Sequence, residues 1–462
     1  MTLIKSISGI RGTIGCAAGD NLTPPDIVRF ASGYAAWLRE RHPSGKLLVV
    51  VGRDARISGE MVCNVIVGTL LACGIDVSDT GLCTTPGVEM AVKARGAQGG
   101  IIITASHNPR EWNALKLLNE EGEFLNAAEG NRVLALADTG NMLYAGVDDM
   151  GRVVDRTPFT AEHIAAVLAL ELVDTTKIRE RKFRVVVDAV NSVGGIAIPE
   201  LLVELGAEVI CINCTPDGNF AHNPEPLPEN LTELSERVVA EKADLGISID
   251  PDVDRLALVC EDGLMFGEEY TLVAAADYVL SRTPGNTVSN LSSTRALRDV
   301  TQKYGGEYAA AAVGEVNVVE VMKRTGAVIG GEGNGGVIYP ALHYGRDALA
   351  GVALILSHLA RTGLTARQLR ETYPRYHMSK RKMNLPEGAD AKRLLEKMAA
   401  RYAGEKINTV DGLKIDFAQG WVHMRLSNTE PIIRIYSEAQ FRGTADALAE
   451  KMIIEFEELT DR

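Results

Sequence analysis

The chain has 462 residues, of which 46% are hydrophobic and 24% are charged, and its formal net charge is −13. A length several times that of a single core predicts three or four domains of roughly 100–150 residues each. The acidic balance argues against sequence-independent binding to nucleic acid or to an acidic membrane surface, because both require a positive field. If the protein binds an anionic ligand, its arginine and lysine side chains must therefore cluster within the binding pocket.

The start of the chain contains no apolar run long enough for a signal peptide, and no stretch of about 18 apolar residues occurs further along. Seven cysteines make an odd number in a chain too large to need disulfide staples, which suits a reducing compartment. We therefore expect a cytoplasmic protein.

The first predicted element is a helix that Thr23 caps and Pro24 begins. Its apolar face, which we expect to pack in a core, consists of Ile27, Phe30, Tyr34 and Leu38.

Three stretches then repeat one pattern: a strand is followed by a helix that ends at a glycine, and further strands then lead into a polar loop. In the first repeat, the first strand, the helix and the strand before the loop are predicted at 47–51, 58–74 and 99–104. The same three elements are predicted at 183–187, 192–206 and 245–249 in the second repeat, and at 287–291, 293–305 and 327–329 in the third. Continuous apolar strands indicate mixed or parallel sheets that are covered on both faces.

After about residue 370 the pattern changes. Residues 373–382 resemble a linker, and a helix at 391–402, several short strands and an amphipathic helix from Thr444 follow. The predicted fold class is α/β, with three similar mixed-sheet α/β domains plus a smaller C-terminal α+β domain around a central cleft. We predict the domain limits 1–155, 156–255, 256–370 and 371–462.

The first polar loop, 104–109, places the hydroxyl of Ser106 at the end of a buried strand, where open α/β sheets bind ligands. Ser106 has no acidic partner at a spacing typical of a protease triad. Carrying a phosphoryl group needs less activation of that kind, because phosphoryl transfer depends mainly on positioning and charge neutralisation. The alternative is an ordinary turn, since Ser, Asn and Pro all favour turns.

The second polar loop gathers Asp250, Asp252 and Asp254 on one side of a segment that we expect to be extended. Clustered carboxylates raise one another's pKa unless a cation holds them, and oxygen ligands favour Mg²⁺. Arg255 follows directly and could steady a phosphoryl group. A solvated acidic turn is the alternative.

The third loop, 331–336, matches GxGxxG, so a dinucleotide-dependent oxidoreductase is a competing hypothesis. The match is weak because the nearest following acid, Asp347, stands at the wrong distance for a ribose contact. Glycines also occur where a backbone approaches a sugar closely, and Glu332 can accept hydrogen bonds from two sugar hydroxyls.

In the last domain, residues 425–431 and Arg434 bring hydroxyls, backbone N–H groups and two guanidiniums together within ten residues. Such a set can hold a phosphate that does not react. A plain turn between strands is the alternative.

Taken together, the four loops resemble the α-D-phosphohexomutase superfamily, which includes phosphoglucosamine mutase, phosphoglucomutase and phosphomannomutase. The resemblance rests on Thr-Ala-Ser-His-Asn-Pro at 104–109, Asp-Pro-Asp-Val-Asp-Arg at 250–255, Gly-Glu-Gly-Asn-Gly-Gly at 331–336 and Arg-Leu-Ser-Asn-Thr-Glu-Pro at 425–431.

The resemblance implies a phosphoserine at Ser106, a Mg²⁺ ion on the three aspartates and Ser106, and a general acid or base at Lys116. It implies a catalytic loop that includes His107, and local positive charge from Arg11 and Arg53 in addition to Lys116 and Arg255. The implied substrate-binding residues are Glu332, Asn334, Arg425, Ser427, Asn428, Thr429 and Arg434.

The implied partner is a small sugar phosphate, with a hexose 1,6-bisphosphate as intermediate and activator, and we expect a monomer or homodimer. The length and the start of the chain are most similar to phosphoglucosamine mutases, which interconvert glucosamine 6-phosphate and glucosamine 1-phosphate. The loop at 427–431 is more similar to phosphoglucomutases and phosphomannomutases, so glucose or mannose phosphates remain the alternative.

Four residues depart from the family pattern: Asn334 and Gly336 stand where serine and histidine are usual, and Pro251 and Ala114 stand where glycine is usual. The altered sugar loop makes a non-catalytic sugar-phosphate sensor that keeps the fold a further alternative.

Two histidines outside the four loops, His163 and His423, are expected to be exposed, and no role is assigned to them.

Overall fold

The computed structural model describes residues 2–6, 9–140, 144–385, 390–427 and 432–460. The chain divides into two compact units, of which unit 1 comprises Met1–Tyr278 and Asn334–Leu369 and unit 2 comprises Val279–Gly333 and Arg370–Arg462. Among the described residues, no helix is both long and apolar enough to cross a membrane.

Unit 1 begins with a seven-stranded sheet. Its strands are β1 (Ile4–Ser6), β2 (Gly9–Thr13), β3 (Leu48–Arg53), β4 (Asp76–Leu82), β5 (Gly99–Ile103), β6 (Trp112–Leu118) and β7 (Val153–Asp155). They lie in the order β1-β2-β6-β5-β3-β4-β7, with β3 parallel to β4 and β5, and β6 antiparallel to β5. The helices of this part are α1 (Pro24–Arg41), α2 (Gly59–Ala72), α3 (Thr85–Ala94) and α4 (Ala127–Thr139).

Both faces of this sheet are covered, as the continuous apolar strands predicted. Val49 and Val51 on β3 join a core cluster that includes the four predicted face residues of α1, all of which are fully buried. Val50, between them, joins a second cluster with Val88 on α3. Alternate side chains of one strand therefore enter two cores.

The second sheet of unit 1 repeats the arrangement of the first. Its elements are α5 (Thr160–Leu168), α6 (Thr175–Arg181), β8 (Arg184–Asp188), α7 (Gly194–Glu204), β9 (Glu208–Ile212), α8 (Thr232–Glu241), β10 (Leu245–Ile249) and β11 (Leu256–Cys260). The order β11-β10-β8-β9 reproduces β6-β5-β3-β4, with three parallel strands and one antiparallel strand. The predicted internal repeat is confirmed.

The helix α9 (Glu268–Leu280) spans the boundary to unit 2. Unit 2 then contains β12 (Thr287–Asn290), α10 (Arg295–Lys303), β13 (Tyr308–Ala311), α11 (Glu315–Thr325) and β14 (Ile329–Glu332). Here β12 is parallel to both β13 and β14, as β3 is to β4 and β5. The chain returns to unit 1 for β15 (Gly336–Ile338) and α12 (Ala348–Thr362), and α13 (Ala366–Glu371) spans the second boundary.

The strand β14 begins two residues later than predicted and continues through Gly330 and Gly331, which the sequence pattern placed in the loop. A β-carbon on Gly330 would stand 2.6 Å from the sulfur of Met322 and 2.7 Å from the carbonyl oxygen of Val288. Close packing inside the sheet therefore requires glycine at this position.

The C-terminal part of unit 2 is a separate α+β layer. Its elements are β16 (His377–Asn384), α14 (Ala391–Arg401), β17 (Lys406–Asn408), β18 (Leu413–Asp416), β19 (Gly420–Leu426), β20 (Ile432–Ala439) and α15 (Arg442–Thr460). The five strands are antiparallel, in the order β16-β20-β19-β18-β17.

The prediction of a linker at 373–382 is wrong, because β16 pairs with β20 over eight residues. β16 is an edge strand and most of its side chains are exposed. Charged residues such as Lys380, Arg381 and Lys382 are common on edge strands, where they discourage pairing with other chains. They also hide the apolar signal by which a strand is recognised.

Candidate active site

Ser106 lies just past β5, and its backbone is held in the left-handed region at φ +50°. Its N–H donates to Thr104 Oγ1 at 2.9 Å, and its hydroxyl donates to Asp250 Oδ2 at 2.8 Å. The hydroxyl also lies 3.3 Å from Nδ1 of His107. A non-glycine residue in this conformation costs about 1–3 kcal/mol and persists only where its surroundings enforce it.

The buried guanidinium of Arg56 enforces this loop, and the sequence analysis missed it. Its Nε donates to Asp54 at 3.0 Å, and Asp54 in turn accepts from Thr104. Its remaining N–H groups donate to the backbone carbonyls of Ser106, Asn108, Pro109 and Trp112. The signal was a second arginine three residues after the end of an apolar strand, in the segment Gly52-Arg53-Asp54-Ala55-Arg56.

The acidic loop is a tight turn, and the expectation of an extended segment is wrong. The Val253 N–H donates to the Asp250 carbonyl at 3.1 Å, and Val253 has φ +65°. For a β-branched residue this conformation is an outlier. The turn brings one oxygen of each of the three carboxylates within 4.8 Å of the others, and all three aspartates are fully buried.

Each aspartate has one oxygen fixed by the protein. Asp250 Oδ1 accepts from the N–H groups of residues 254 and 255. Asp252 Oδ2 accepts from Lys116 Nζ at 2.7 Å and from the hydroxyl of Thr85 at 2.6 Å. Asp254 Oδ2 accepts from Arg346 at 2.7 Å.

The other oxygens of Asp252 and Asp254 are buried without a hydrogen-bond partner in the described part of the chain. Leaving a buried carboxylate oxygen unsatisfied is costly unless a cation binds it. An all-oxygen set of three carboxylates beside a serine hydroxyl fits a hard divalent cation and does not favour zinc.

The carboxylates influence one another's protonation. Burial, together with the charges of Asp254 and Asp252, raises the pKa of Asp250 well above its ordinary value. Burial also opposes ionisation of Asp252, but the ammonium group of Lys116 outweighs it and holds the pKa of Asp252 low. The carboxylates likewise raise the pKa of Lys116 against the effect of its own burial.

Further cations surround the triad. Arg255 Nε lies 3.9 Å from an oxygen of Asp250 and from one of Asp254, and its Nη1 lies 3.4 Å from Glu225. Arg11 lies on β2 opposite Ala114, on the strand β6 that also carries Lys116. Burial and the charge of Arg255 lower the pKa of Arg11.

The same two causes, burial and the charge of Arg255, place the pKa of His107 well below its ordinary value. The imidazole of His107 is therefore neutral at neutral pH. Unit 1 thus brings together Ser106, His107, Lys116, Arg255 and the three aspartates, with Arg11 near Arg255.

Unit 2 holds the carboxylate predicted to bind a sugar. Glu332 ends β14, is 5% exposed, and its Oε1 accepts from Asn290 at 2.8 Å and from the Gly314 N–H at 3.0 Å. The carboxylate is therefore fixed by both β12 and the loop before α11.

The predicted phosphate-binding residues of unit 2 lie on two adjacent strands. Arg425 on β19 pairs with Arg434 on β20, and Ser427 follows β19. Asn428 and Thr429 lie outside the described residues. Asp411, which the sequence analysis missed, lies 3.2 Å from Arg425 Nε and accepts from the Val313 N–H at 3.0 Å.

Two histidines were predicted to be exposed, and both predictions are wrong. His163 and His423 are each 1% exposed. His163 Nε2 lies 2.7 Å from Asp347, and His423 lies between the hydroxyl of Ser292 and the carbonyl of Asp411. The partners that satisfy both histidines are distant in sequence, so the sequence carries no signal of their burial.

The glycine-rich loop does not have the context of a dinucleotide fingerprint. Residues 333–335 form a turn between β14 and β15, whereas the fingerprint opens a helix. Asn334, which was predicted to bind substrate, belongs to unit 1, and its side chain accepts from the Gly336 N–H at 3.3 Å.

Comparison with known families gives matches along nearly the whole chain. The models of phosphoglucomutase/phosphomannomutase α/β/α domains I, II and III match residues 3–142, 161–263 and 267–376. The model of the C-terminal domain of the same family matches residues 382–455.

Individual proteins agree with the family models. A phosphoglucomutase/phosphomannomutase of Thermococcus kodakarensis is 37% identical, over 94% of this chain and 93% of its own. A phosphoglucosamine/phosphogalactosamine mutase of Sulfurisphaera tokodaii is 29% identical, over 96% and 97%. The crystal structure of a phosphoglucomutase/phosphomannomutase family protein from Burkholderia thailandensis superposes with a TM-score of 0.85 at 26% identity, covering 98% of this chain and 97% of its own. The chain therefore belongs to the phosphoglucomutase/phosphomannomutase family of the α-D-phosphohexomutase superfamily, and it is a phosphohexomutase with four α/β domains, the last of them the smallest.

Proposed function

We propose that this phosphohexomutase interconverts glucosamine 6-phosphate and glucosamine 1-phosphate through a phosphorylated Ser106. The bond from phosphorus to Ser106 Oγ breaks as a bond to the free sugar hydroxyl forms, which gives a hexose 1,6-bisphosphate. The other phosphoryl group then returns to Ser106. The observation that carries the proposal is the 2.8 Å hydrogen bond from the Ser106 hydroxyl to Asp250, inside the cluster of carboxylates and cations.

The cations have distinct proposed roles. Lys116 is the proposed general acid or base: as the ammonium beside Asp252 it gives a proton to the departing oxygen of Ser106 and then takes the proton of the attacking sugar hydroxyl. Arg255 and Arg11 hold the charge of the transferring phosphoryl group, and the neutral His107 orders the loop of Ser106.

A magnesium ion held by the three aspartates and Ser106 would neutralise charge on the transferring phosphoryl group. The two buried aspartate oxygens without partners among the described residues support this assignment. Removing the metal with a chelator should abolish turnover, and added Mg²⁺ should restore it. Full activity in chelated, metal-free buffer would contradict the assignment.

Substrate binding is assigned to the seven residues that the family resemblance implies. Glu332 and Asn334 read sugar hydroxyls, while Arg425, Ser427, Asn428, Thr429 and Arg434 hold the phosphate that does not react. The fixed carboxylate of Glu332 and the adjacent guanidiniums of β19 and β20 support these roles.

The proposal includes the domain limits 1–155, 156–255, 256–370 and 371–462, a cytoplasmic location, and a monomer or homodimer. Its partners are sugar phosphates, without nucleic acid or membrane, in keeping with a net charge of −13.

The serine assignment is tested by Ser106→Ala, with Ser235→Ala as control. We expect Ser106→Ala to lose turnover while its melting temperature stays close to that of the wild type. Mass spectrometry of the wild-type protein should find an added phosphate on the peptide that bears Ser106, and Ser106→Ala should lack it. A Ser106→Ala enzyme that keeps most of its turnover would refute the phosphoserine.

Glucose and mannose phosphates form the second candidate substrate class, favoured by the Thermococcus relative and by the family resemblance of the loop at 427–431. Side-by-side kcat/KM values on glucosamine, glucose and mannose 1-phosphates decide between the classes. A higher value for glucose or mannose 1-phosphate would overturn the amino-sugar assignment and leave the phosphoserine chemistry intact.

A further inference from the structure

Gly336 and Arg346 pack directly against each other in unit 1. Ile338 and Arg346 form an antiparallel bridge, and the Asp347 N–H donates to the Val337 carbonyl at 2.8 Å, so the two segments run side by side. A β-carbon on Gly336 would stand 2.3 Å from Cδ and 3.0 Å from Cγ of Arg346. The stem of Arg346 therefore occupies the space that any other residue at 336 would need.

The packed stem leads the guanidinium to the acidic triad. Arg346 is 8% exposed, and its Nη2 lies 2.7 Å from Oδ2 of the fully buried Asp254. Oδ1 of the same carboxylate has no hydrogen-bond partner in the described ranges. Because a carboxylate is planar, fixing Oδ2 also fixes where Oδ1 points.

The other two aspartates are held in the same way by different groups. Backbone N–H groups fix Asp250, and Lys116 with Thr85 fixes Asp252. For Asp254, Arg346 is the closest cation, since Lys116 Nζ lies at 3.7 Å and Arg255 at 3.9 Å.

We propose that Arg346 is a positioning residue that orients the metal ligand Asp254, and that residue 336 is glycine because the stem of Arg346 passes over it. This inference rests on the proposed function, in which a divalent cation binds the triad. Groups that hydrogen-bond to metal ligands set the ligands' orientation, and their loss costs about 10–100-fold in metal affinity.

The test is calorimetric titration of the full chain with Mg²⁺, repeated with Mn²⁺ followed by electron paramagnetic resonance. Arg346→Met keeps the stem and removes the guanidinium, and we expect it to weaken binding about 10–100-fold. Arg346→Lys keeps a charge and should recover part of the loss. Arg132→Met, at an exposed pair with Glu40, is the matched control and should bind like the wild type.

Gly336→Ala provides a second route to the same effect, because its new methyl group displaces Arg346 from Asp254. If the two residues act together, Gly336→Ala weakens Mg²⁺ binding in the wild type but adds no further loss in Arg346→Ala, where Cγ and Cδ are gone. If the double variant loses Mg²⁺ affinity by the full sum of the two single losses, the role assigned to Gly336 is wrong.

The outcomes separate this inference from the proposed function. A wild type that binds Mg²⁺ while folded Arg346→Met and Gly336→Ala bind it equally well overturns the role of Arg346 and leaves the mutase proposal standing. If the wild type binds neither Mg²⁺ nor Mn²⁺, the proposed divalent cation site on the three aspartates is itself wrong. Should Arg346→Met fail to fold, Arg346→Lys and Gly336→Ala carry the comparison, and unchanged affinity in both rejects the proposal.

Discussion

Arg56 places a positive charge in the protein interior, where it is almost fully satisfied by backbone carbonyls. Its side chain is 0% exposed, and it joins the carboxylate of Asp54 to four carbonyl oxygens of the loop that carries Ser106. A guanidinium suits this role because its donors form a rigid, planar fork. The strained backbone conformation of Ser106 is thus maintained by a buried side chain that donates to the carbonyls of its loop.

Arg56→Met should therefore destabilise the chain by about 3–5 kcal/mol, because it leaves a buried carboxylate and several carbonyls without their partner. We expect the loss as a lower denaturant midpoint, measured by circular dichroism. Arg132→Met, at a pair whose side chains are 53% and 44% exposed, is the control and should cost less than about 1 kcal/mol. If Arg56→Met and Arg132→Met lose the same stability, the buried guanidinium of Arg56 contributes no more than an exposed ion pair.

Residue types were more predictable than residue orientations. The structure brings Ser106, Lys116 and the three aspartates together: Ser106 follows β5, Lys116 lies on the adjacent strand β6, and the aspartates follow β10, which is the counterpart of β5 in the second sheet. Arg346 and Asp411 escaped prediction because each acts on a residue that is distant in sequence, and an isolated charged residue in a loop carries no signal of its partner. The burial of His163 escaped prediction for the same reason.

Several elements of unit 1 meet at a buried polar cluster, which we define as Glu89, His163, His343 and Asp347. Glu89 lies on α3, His163 on α5, and Asp347 caps α12 by accepting from the N–H groups of residues 349 and 350. Nε2 of His343 lies 3.1 Å from Asp347 and its Nδ1 lies 3.4 Å from Glu89. Two carboxylates and two imidazoles therefore tie three helices together.

This cluster predicts a dependence of stability on pH. Burial disfavours the charged form of His343, but Asp347 and Glu89 outweigh it and raise the pKa of His343 to about 10. The stabilisation from its charge is therefore complete below the unfolded-state pKa of about 6.5 and is lost as pH rises through about 10.

His343→Gln should be less stable than the wild type by on the order of a few kcal/mol at pH 6.5, and the gap should narrow towards pH 10. Melting temperatures of both proteins across pH 6–10 measure the gap. The exposed His377→Gln is the control, for which we expect a small difference that does not change with pH. A gap for His343→Gln that stays constant or widens would contradict a charged imidazole in the cluster.

In unit 2, one loop connects two of the residues assigned to substrate binding, Glu332 and Arg425. The Gly314 N–H donates to Glu332, and the neighbouring Val313 N–H donates to Asp411, which pairs with Arg425. Asp411 thus aligns Arg425 and the loop that also holds Glu332.

Asp411→Asn should raise KM for the sugar phosphate about tenfold, equivalent to about 1.4 kcal/mol of binding, with a smaller change in kcat. Initial-rate kinetics measure the two constants separately. Asp446→Asn, on the exposed side of the same layer, should leave both unchanged. A fall in kcat at constant KM would mean that Asp411 acts on the chemical step and not on substrate binding.

Elements with a strong apolar period were predicted well, and elements defined by other forces were not. The strand at 245–249 has the predicted bounds, because five consecutive residues are buried. The edge strand β16 was missed because its exposed side chains carry charge, and the turn at Val253 was missed because its φ of +65° is unusual for valine. Tertiary packing decides both.

At the scale of the whole molecule, unit 1 is discontinuous in sequence, since residues 334–369 return to it after part of unit 2. This returning segment carries Arg346, and it carries Asp347 of the buried polar cluster. It also contains the helix α12, in which all twelve residues from Ala348 to Leu359 are buried. The internal repeat predicted three α/β parts, but it could not predict which segments would associate most closely.

The discontinuity predicts that residues 1–278 cannot fold stably alone. Six large apolar side chains of α12 are buried, and burying each contributes about 1.5–3 kcal/mol, so their loss is comparable to the roughly 5–15 kcal/mol that stabilises a typical domain. We expect the 1–278 fragment to melt without a cooperative transition. A chimera that joins residues 278 and 334 by a long glycine–serine linker restores α12 and should melt cooperatively and bind Mg²⁺. Differential scanning calorimetry compares the two, and a sharp transition in the 1–278 fragment would show that the returning segment is dispensable for the fold of unit 1.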